Sequence, residues 1–140
     1  MSLEENKTLY RRFITEAFNH GNLDHLDEIL SPTYAYRDSP PGTPPGPDAI
    51  RQVVPMFRAA FPDLEITIDA QVAEGDLVAS RTTMRGTHKN ALFGINPTGR
   101  KVAVPGLTMV RVENGRIAES WVKNDTAALM AQLGAGPSSQ

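Results

Sequence analysis

Apolar residues in the first half of the chain recur at helical spacing. Between residues 9 and 18 they return every three or four positions, behind a capping box of Ser2 and Glu5. A shorter run of the same kind follows Asn22, a favourable helix cap, and a third run opens at Pro47. The pattern predicts three amphipathic helices in this half of the chain.

A short strand and a proline-rich loop separate the second helix from the third. Ser31-Pro32 is expected to end the second helix, and residues 33–38 are typical of a strand. Residues 40–47, PPGTPPGP, hold five prolines and two glycines, so they form neither a helix nor a sheet ladder. This segment is expected to be a loop or a lid over whatever lies beneath it.

The second half of the chain changes to a period of two residues, which indicates strands. The alternating runs cover residues 64–74, 77–88, 100–113 and 116–124. Gly75-Asp76 and Asn114-Gly115 are two-residue turn signals, so the strands are expected to pair largely antiparallel. Asp125 then caps a short last helix that ends at Gly134.

The order of these elements predicts an α+β fold. Three helices would pack against one face of a strongly curved, mainly antiparallel sheet, with the short helix at the C-terminal end. A curved sheet covered by helices encloses a cone, and the mouth of such a cone is a common place for a small-molecule pocket. Residues 1–134 are expected to form this single domain, and residues 135–140 a flexible tail.

Composition and charge narrow the function by exclusion. With 14 Lys and Arg against 16 Asp and Glu, the net charge is -2, unlike the basic surfaces that bind nucleic acid or anionic membranes. There is no cysteine and there are three histidines, so neither a thiolate site nor a paired-histidine metal site is expected. The charged N-terminus has no signal-peptide core and no run reaches membrane-span length, which predicts a cytoplasmic protein.

Six segments form a set that is specific as a whole: AFNHGNLDHLDEILSP, GPDAIRQ, AFPDL, AEGD, RGTHKNALFGINPTGRKV and VENGRIAESWVKND. In this order and at these spacings they resemble the SnoaL-like polyketide cyclase or ester-cyclase family of the NTF2-like superfamily, over nearly the whole chain. The resemblance implies a cone with a deep pocket, a homodimer, and activity without a metal or an organic cofactor. Independently of the resemblance, the charge balance predicts no nucleic-acid and no membrane partner.

For the chemistry, the resemblance implies an intramolecular aldol ring closure of a polyketide ester. A carboxylate would act as acid and base, and the histidine of the Gly-Thr-His motif, His88 here, would lie in the pocket. In the family pattern the carboxylate lies on the strand after Pro-Thr-Gly. Here that strand, residues 100–109, contains no acidic residue, so the chain departs from the pattern at this point.

Two residues are candidate acid–base groups, and each has a structural alternative. His88 alternates onto the same side as Met84, and an imidazole with a pKa near 6.5 exchanges protons at neutral pH. Alternatively, His88 is hydrogen-bonded at a strand end and fixes the loop that follows. Asp38 is a candidate base in place of the absent carboxylate, or it begins an Asx turn with Ser39-Pro40.

Five side chains are predicted to line the cavity and contact a ligand: Tyr34, Tyr36, Met84, Met109 and Trp121. The tyrosine hydroxyls are suited to donate to an oxyanion, or else lie at the rim of the cone. Trp121 suits stacking on a flat ligand and equally suits packing in the core. The sequence alone leaves both readings open for each.

Three functions fit these residues. The first is a cofactor-independent enzyme that moves protons on a small apolar carbonyl compound, with His88 and Asp38 as catalytic residues. The second is a protein that binds a hydrophobic metabolite in the same cone without converting it, which the absent carboxylate favours. The third is an isomerase or an epoxide hydrolase-like enzyme, for which Asp38 and Arg81 are the only carboxylate–arginine pair available.

Overall fold

The computed structural model describes residues 2–134. Its helices are α1 (Leu3–Phe13), continued by a π-helical segment (Ile14–Asn19), α2 (Leu26–Ile29), α3 (Asp48–Ala60) and α4 (Thr126–Gln132). Its strands are β1 (Leu30–Arg37), β2 (Glu65–Glu74), β3 (Leu77–Thr87), β4 (Lys101–Glu113) and β5 (Arg116–Asn124). The order confirms the predicted α+β class, and the tail predicted for residues 135–140 lies outside the described residues.

The strands form one curved sheet in the order β1-β5-β4-β3-β2. Neighbouring strands are antiparallel except β1 and β5, which run parallel, so the mainly antiparallel sheet of the prediction is confirmed. Asn114 and Gly115 have φ angles of 53° and 75°, the left-handed turn geometry that matches the twist of paired strands. The hairpin between β4 and β5 therefore forms where the sequence predicts it.

The start of α1 and its continuation both follow from local hydrogen bonds. The Ser2 hydroxyl accepts the Glu5 N–H at 3.0 Å and the Glu5 carboxylate accepts the Ser2 N–H at 2.9 Å, which confirms the capping box. At the other end, the Asn19 side chain accepts the Ile66 N–H at 2.7 Å and donates to the Ile66 carbonyl at 2.9 Å. The π-helical segment is thereby fastened to β2 and lies over the sheet.

The second helix is shorter than predicted and begins later. Asn22 accepts the Asp24 N–H within a turn and does not cap the helix, and α2 starts at Leu26. β1 begins at Leu30, so Ser31-Pro32 lies inside a strand. Proline is tolerated there because β1 is an edge strand, where its missing N–H is not needed by a neighbour. Both predicted boundaries were therefore wrong.

Burial along β4 shows which face of the sheet the helices cover. Val102, Val104 and Val110 are buried, whereas Leu107 and Met109 are 62% and 38% exposed. Even-numbered residues of β4 therefore face the helices and odd-numbered residues face outward. Hydrophobic clusters fill the inner side, one beneath α1 and α2 and another between α3, the loop after β3 and α4.

Candidate active site

A cavity lies inside the cone, between the inner face of the sheet and the helices. Its walls come from α1, the π-helical segment, α3 and inward-facing residues of the strands. Aromatic side chains form much of this wall: Tyr10, Phe13, Phe18, Tyr34, Tyr36 and Phe57. The cavity volume is about 80 Å³, which leaves room for a few water molecules.

The cavity opens into a wider mouth at one end of the cone. Five residues line both spaces and join them: Tyr36, Phe57, Met84, Val122 and Asn124. The volume of the mouth is about 270 Å³, and its lining adds polar groups from Asp38, Lys123 and Thr126. A ligand larger than a single ring must therefore extend from the cavity into the mouth.

Tyrosine hydroxyls supply polar groups to the cavity. The Tyr34 hydroxyl donates to the Ser120 hydroxyl at 2.9 Å, and both residues are buried. Burial raises the pKa of Tyr10 to about 12 and also raises the pKa of Tyr34. The pKa of Tyr36 is raised by burial and then by the nearby charge of Asp38. All three hydroxyls are protonated at neutral pH and can donate hydrogen bonds.

Asp38 lies at the rim, where β1 meets the proline-rich loop. Its backbone is in the left-handed region with φ 61°, which aspartate tolerates better than most residues. One carboxylate oxygen is 3.2 Å from the Lys123 ammonium, and 41% of the Asp38 side chain is exposed. Within residues 2–134, Asp38 is the carboxylate that lines the mouth, and no carboxylate lines the cavity itself.

His88 is fully buried beside Phe61 and is not among the residues that line the cavity or its mouth. Its ring Nδ1 accepts the backbone N–H of Thr98 at 3.2 Å, and the backbone N–H of His88 donates to the Arg100 carbonyl at 2.9 Å. Because Nδ1 accepts an N–H, the neutral ring carries its proton on Nε2. That atom has no hydrogen-bond partner in the described part of the chain. His88 thus fixes the base of the loop formed by residues 88–99.

The loop that His88 fixes reaches over the mouth. Leu92 and Ile95 pair through their backbones, which brings Phe93 to the tip with φ 49°. The Phe93 ring is 53% exposed and packs edge-on against Phe57, with ring centroids 6.0 Å apart. Phe93 therefore extends the aromatic wall from the cavity to the outer rim.

Two residues predicted for the cavity wall lie elsewhere. Met109 and Trp121 are paired across β4 and β5, on the outer face of the sheet. Their neighbours Thr108 and Ser120 face the cavity instead. Because side chains alternate along a strand, a difference of one position moves a side chain to the other face. Of the five residues predicted to contact a ligand, the structure brings Tyr34, Tyr36 and Met84 together in the cavity.

The predicted pairing of Asp38 with Arg81 does not form. Arg81 lies opposite Leu107 in the sheet register, on the exposed outer face. The cation beside Asp38 is Lys123. The arrangement of carboxylate and arginine that the third function requires is therefore absent from the mouth.

Sequence reasoning missed several residues of the wall. Tyr10 and Phe57 belong to the apolar faces of helices, so periodicity identified them as buried without showing that they border a cavity. Asn124 also lines it, and its signal was alternation, because Asn124 shares the parity of Val122. Thr82 shares the parity of Met84 and lines the cavity on the side that alternation predicts for the interior. Polar residues on an inward parity are the pattern that marks a polar cavity.

Residues 2–134 contain neither a metal-binding cluster nor a membrane-spanning helix. No group of three or more His, Asp or Glu side chains in this range is placed to hold a metal ion. No helix in the same range is long and apolar enough to cross a membrane.

Comparison with known proteins identifies the family. Nogalonic acid methyl ester cyclase of Streptomyces nogalater is 28% identical over 123 residues, 86% of this chain and 92% of that protein. The structure of TsrD from Streptomyces laurentii matches with a TM-score of 0.88 at 30% identity, over 96% of this chain and 98% of that one. IdmH from Streptomyces antibioticus matches with a TM-score of 0.79 at 36% identity, over 92% and 98%. The family model described as SnoaL-like polyketide cyclase matches residues 8–133, and the chain belongs to this family.

Proposed function

We propose that this protein closes a ring in a polyketide ester by an intramolecular aldol reaction. The observation that carries the proposal is an aromatic cavity whose mouth holds one carboxylate, Asp38, beside a cation. The aromatic wall suits the flat, conjugated part of a polyketide, and the carboxylate suits proton transfer at a carbon next to a carbonyl. The relative from Streptomyces nogalater, named as an ester cyclase, supports this class of substrate.

Asp38 is the base in this proposal. Its carboxylate takes a proton from a carbon beside a carbonyl, and the electron pair of the broken C–H bond forms an enolate. The enolate carbon attacks a second carbonyl of the same molecule, which forms the carbon–carbon bond that closes the ring. The resulting alkoxide takes the proton back from Asp38, so the product is an isomer of the substrate.

The tyrosines act as donors in this proposal. The pKa of Tyr36 is raised by burial and by Asp38, so its hydroxyl keeps its proton while Asp38 is ionised. Tyr36 also lines both the cavity and the mouth. A hydroxyl in this position is suited to donate to a substrate oxygen on which negative charge develops.

His88 enters the proposal as a positioning residue and not as the acid or base. Two observations support this role: His88 is fully buried, and its Nδ1 accepts the backbone N–H of Thr98. By fixing the loop of residues 88–99, His88 determines where Phe93 lies over the mouth.

The test uses nogalonic acid methyl ester as the probe, with conversion followed by chromatography and mass spectrometry. We expect a cyclised product of unchanged mass, and a decrease of turnover of about 1,000-fold in Asp38→Asn, because the general base is lost. Asp76→Asn is the matched control, since Asp76 is an exposed carboxylate in the turn between β2 and β3. Asp38→Asn activity within tenfold of wild type rejects Asp38 as the base, and no turnover by the wild type rejects cyclisation of this ester.

A second function is binding of the same class of molecule without conversion. It is favoured by the absence of any carboxylate from the cavity lining within residues 2–134. This function predicts that the wild type binds the ester and returns it unchanged, and that Phe57→Ala weakens binding by removing an aromatic wall. Calorimetry on both proteins separates this result from turnover.

We also propose that the protein is a homodimer, formed through the outer face of the sheet. A row of apolar side chains crosses four strands in register on this face: Val72, Ala79, Met109 and Trp121. Leu107 beside the row is 62% exposed and Val72 is 68% exposed, and a contiguous apolar patch of this kind is typical of an interface. In a two-fold dimer the same patch of each copy meets the other, so a second copy of this chain would cover the whole row.

Sedimentation velocity tests the dimer. We expect a dimer for the wild type and a monomer for Leu107→Glu, because a charge is placed in an apolar contact. Lys101→Glu, at an exposed position of β4 outside the row, is the matched control and is expected to remain dimeric. A monomeric wild type at micromolar concentration rejects the assembly.

A further inference from the structure

Three residues lie in register across the inner face of the sheet: Thr82 of β3, Gly106 of β4 and Asn124 of β5. Thr82 lines the cavity, and Asn124 lines both the cavity and the mouth. Their neighbours there, Met84 and Val122, are apolar. The amide of Asn124 is therefore a polar group at the point where a ligand passes from one space to the other.

Gly106 provides the room in which the Asn124 amide lies. A Cβ on Gly106 would be 2.5 Å from the Asn124 Oδ1 and 3.1 Å from the Thr82 Oγ1. The first distance is shorter than real Cβ contacts, so any other residue at position 106 would displace the amide. Glycine weakens the interior of a strand, and where it occurs there it commonly marks a close approach. Here the group that approaches is the side chain of Asn124.

The amide also lies close to the proposed base along the chain and across the sheet. Lys123, the residue before Asn124, is the cation 3.2 Å from the Asp38 carboxylate. Both Asp38 and Asn124 line the mouth. A substrate carbon within reach of Asp38 would thus have its carbonyl group in the region of the amide.

We propose that Asn124 binds the substrate carbonyl whose oxygen becomes negative when Asp38 removes the proton. This inference rests on the proposed ring closure. The Asn124 Nδ2–H donates to that oxygen, and the absence of a side chain at Gly106 leaves the space in which the amide lies. A neutral amide donor stabilises the enolate but is too weak an acid to protonate it. The enolate therefore remains free to attack the second carbonyl.

Turnover of nogalonic acid methyl ester by two variants tests the role. Asn124→Ala removes the donor and is expected to lower kcat about 100-fold with a smaller change in KM, because the bond strengthens as charge develops. Gly106→Ala keeps the amide but displaces it, and the same direction of effect is expected. Gln52→Ala, which removes an exposed amide from α3, is the control. A kcat of Asn124→Ala within threefold of wild type overturns the inference.

A spectroscopic measurement separates failure of this inference from failure of the proposed function. In the isotope-edited infrared spectrum of the bound ester, one carbonyl band is expected at lower wavenumber with wild type and unshifted with Asn124→Ala. If the wild type shows the shifted band, Asn124→Ala does not, and the wild type leaves the ester unconverted, the ring closure is rejected and carbonyl binding by Asn124 stands. If the bands of the two proteins coincide, or the ester does not bind to wild type at all, the inference is overturned.

Discussion

Polar groups inside the cone and polar groups at its mouth are held in different ways. Tyr34 and Ser120 are 3% and 2% exposed and share a hydrogen bond of 2.9 Å. Asp38 and Lys123 are 41% and 74% exposed and meet in one ion pair at 3.2 Å. When a buried hydrogen bond is broken, the remaining polar group has neither a protein partner nor water to bond to, which is costly. An exposed ion pair contributes little to stability because water screens it. The polar groups of the interior therefore contribute to stability, while substitutions at the mouth can change the chemistry without unfolding the protein.

The largest effect on stability is expected at His88, the most buried polar group near the mouth. His88→Gln places an amide where Nε2 lies in the wild type and leaves the Thr98 N–H without an acceptor. We therefore expect the free energy of unfolding to decrease by about 3 kcal/mol. His88→Asn places its oxygen near Nδ1 and retains that acceptor, so its loss is expected to be about half as large. Urea unfolding compares the two. Equal losses, or a milder effect of glutamine, would show that the bond to Thr98 is not what His88 contributes.

The next largest effect is a loss of stability at alkaline pH, caused by the buried tyrosines. Burial raises the pKa of Tyr10 from 10 to about 12, so the folded state favours the protonated phenol. The contribution is fully present below pH 10 and is lost as the pH rises through 12, with an expected loss of about 2 to 3 kcal/mol. Tyr10→Phe has no such group and is expected to lose less stability over this range. Parallel pH profiles of the two proteins in urea unfolding would contradict this prediction.

Much of the fold was predictable from the sequence because its signals are local. The capping box of Ser2, the turn at Asn114-Gly115 and the cap at Asp125, whose carboxylate accepts the Ala128 N–H at 2.9 Å, each depend on a few adjacent residues. The prediction of the second helix was wrong because the end of this helix depends on the neighbouring sheet. An edge position allowed Pro32 to join a strand, and an edge position is not visible in a run of residues.

The candidate site was predictable only in part, because its polarity inverts the usual alternation. Thr108 and Ser120 face inward to the cavity, while Leu107, Met109 and Trp121 face outward. An apolar-inside rule therefore assigns these positions to the wrong face. A bulge in β5, where Ile117 and Ala118 are both buried, further disturbs the parity. Neither the bulge nor the outer apolar row has a signature in the sequence.

A smaller effect is expected when the bond between Tyr34 and Ser120 is broken within the cavity. Tyr34→Phe leaves the Ser120 hydroxyl without its donor, and we expect a loss of about 1 to 1.5 kcal/mol. Ser120→Ala is expected to cost a similar amount. In the double variant both partners are apolar, so the losses should not add, and a double-mutant cycle measures the difference. Additive losses would mean that the two hydroxyls do not depend on each other.

The smallest effect is expected at the mouth, from Lys123→Gln. The Lys123 ammonium is on a side chain that is 74% exposed, and its pair with Asp38 is screened by water, so stability should change by less than about 0.5 kcal/mol. Glu119 is the matched contrast, because its carboxylate is 15% exposed and meets Arg37 at 2.7 Å and Arg111 at 3.2 Å. Glu119→Gln is expected to destabilise the protein more than Lys123→Gln does in the same urea unfolding measurement. If Lys123→Gln destabilises the protein as much as Glu119→Gln does, the charges at the mouth support the fold, and the contrast between interior and mouth does not hold.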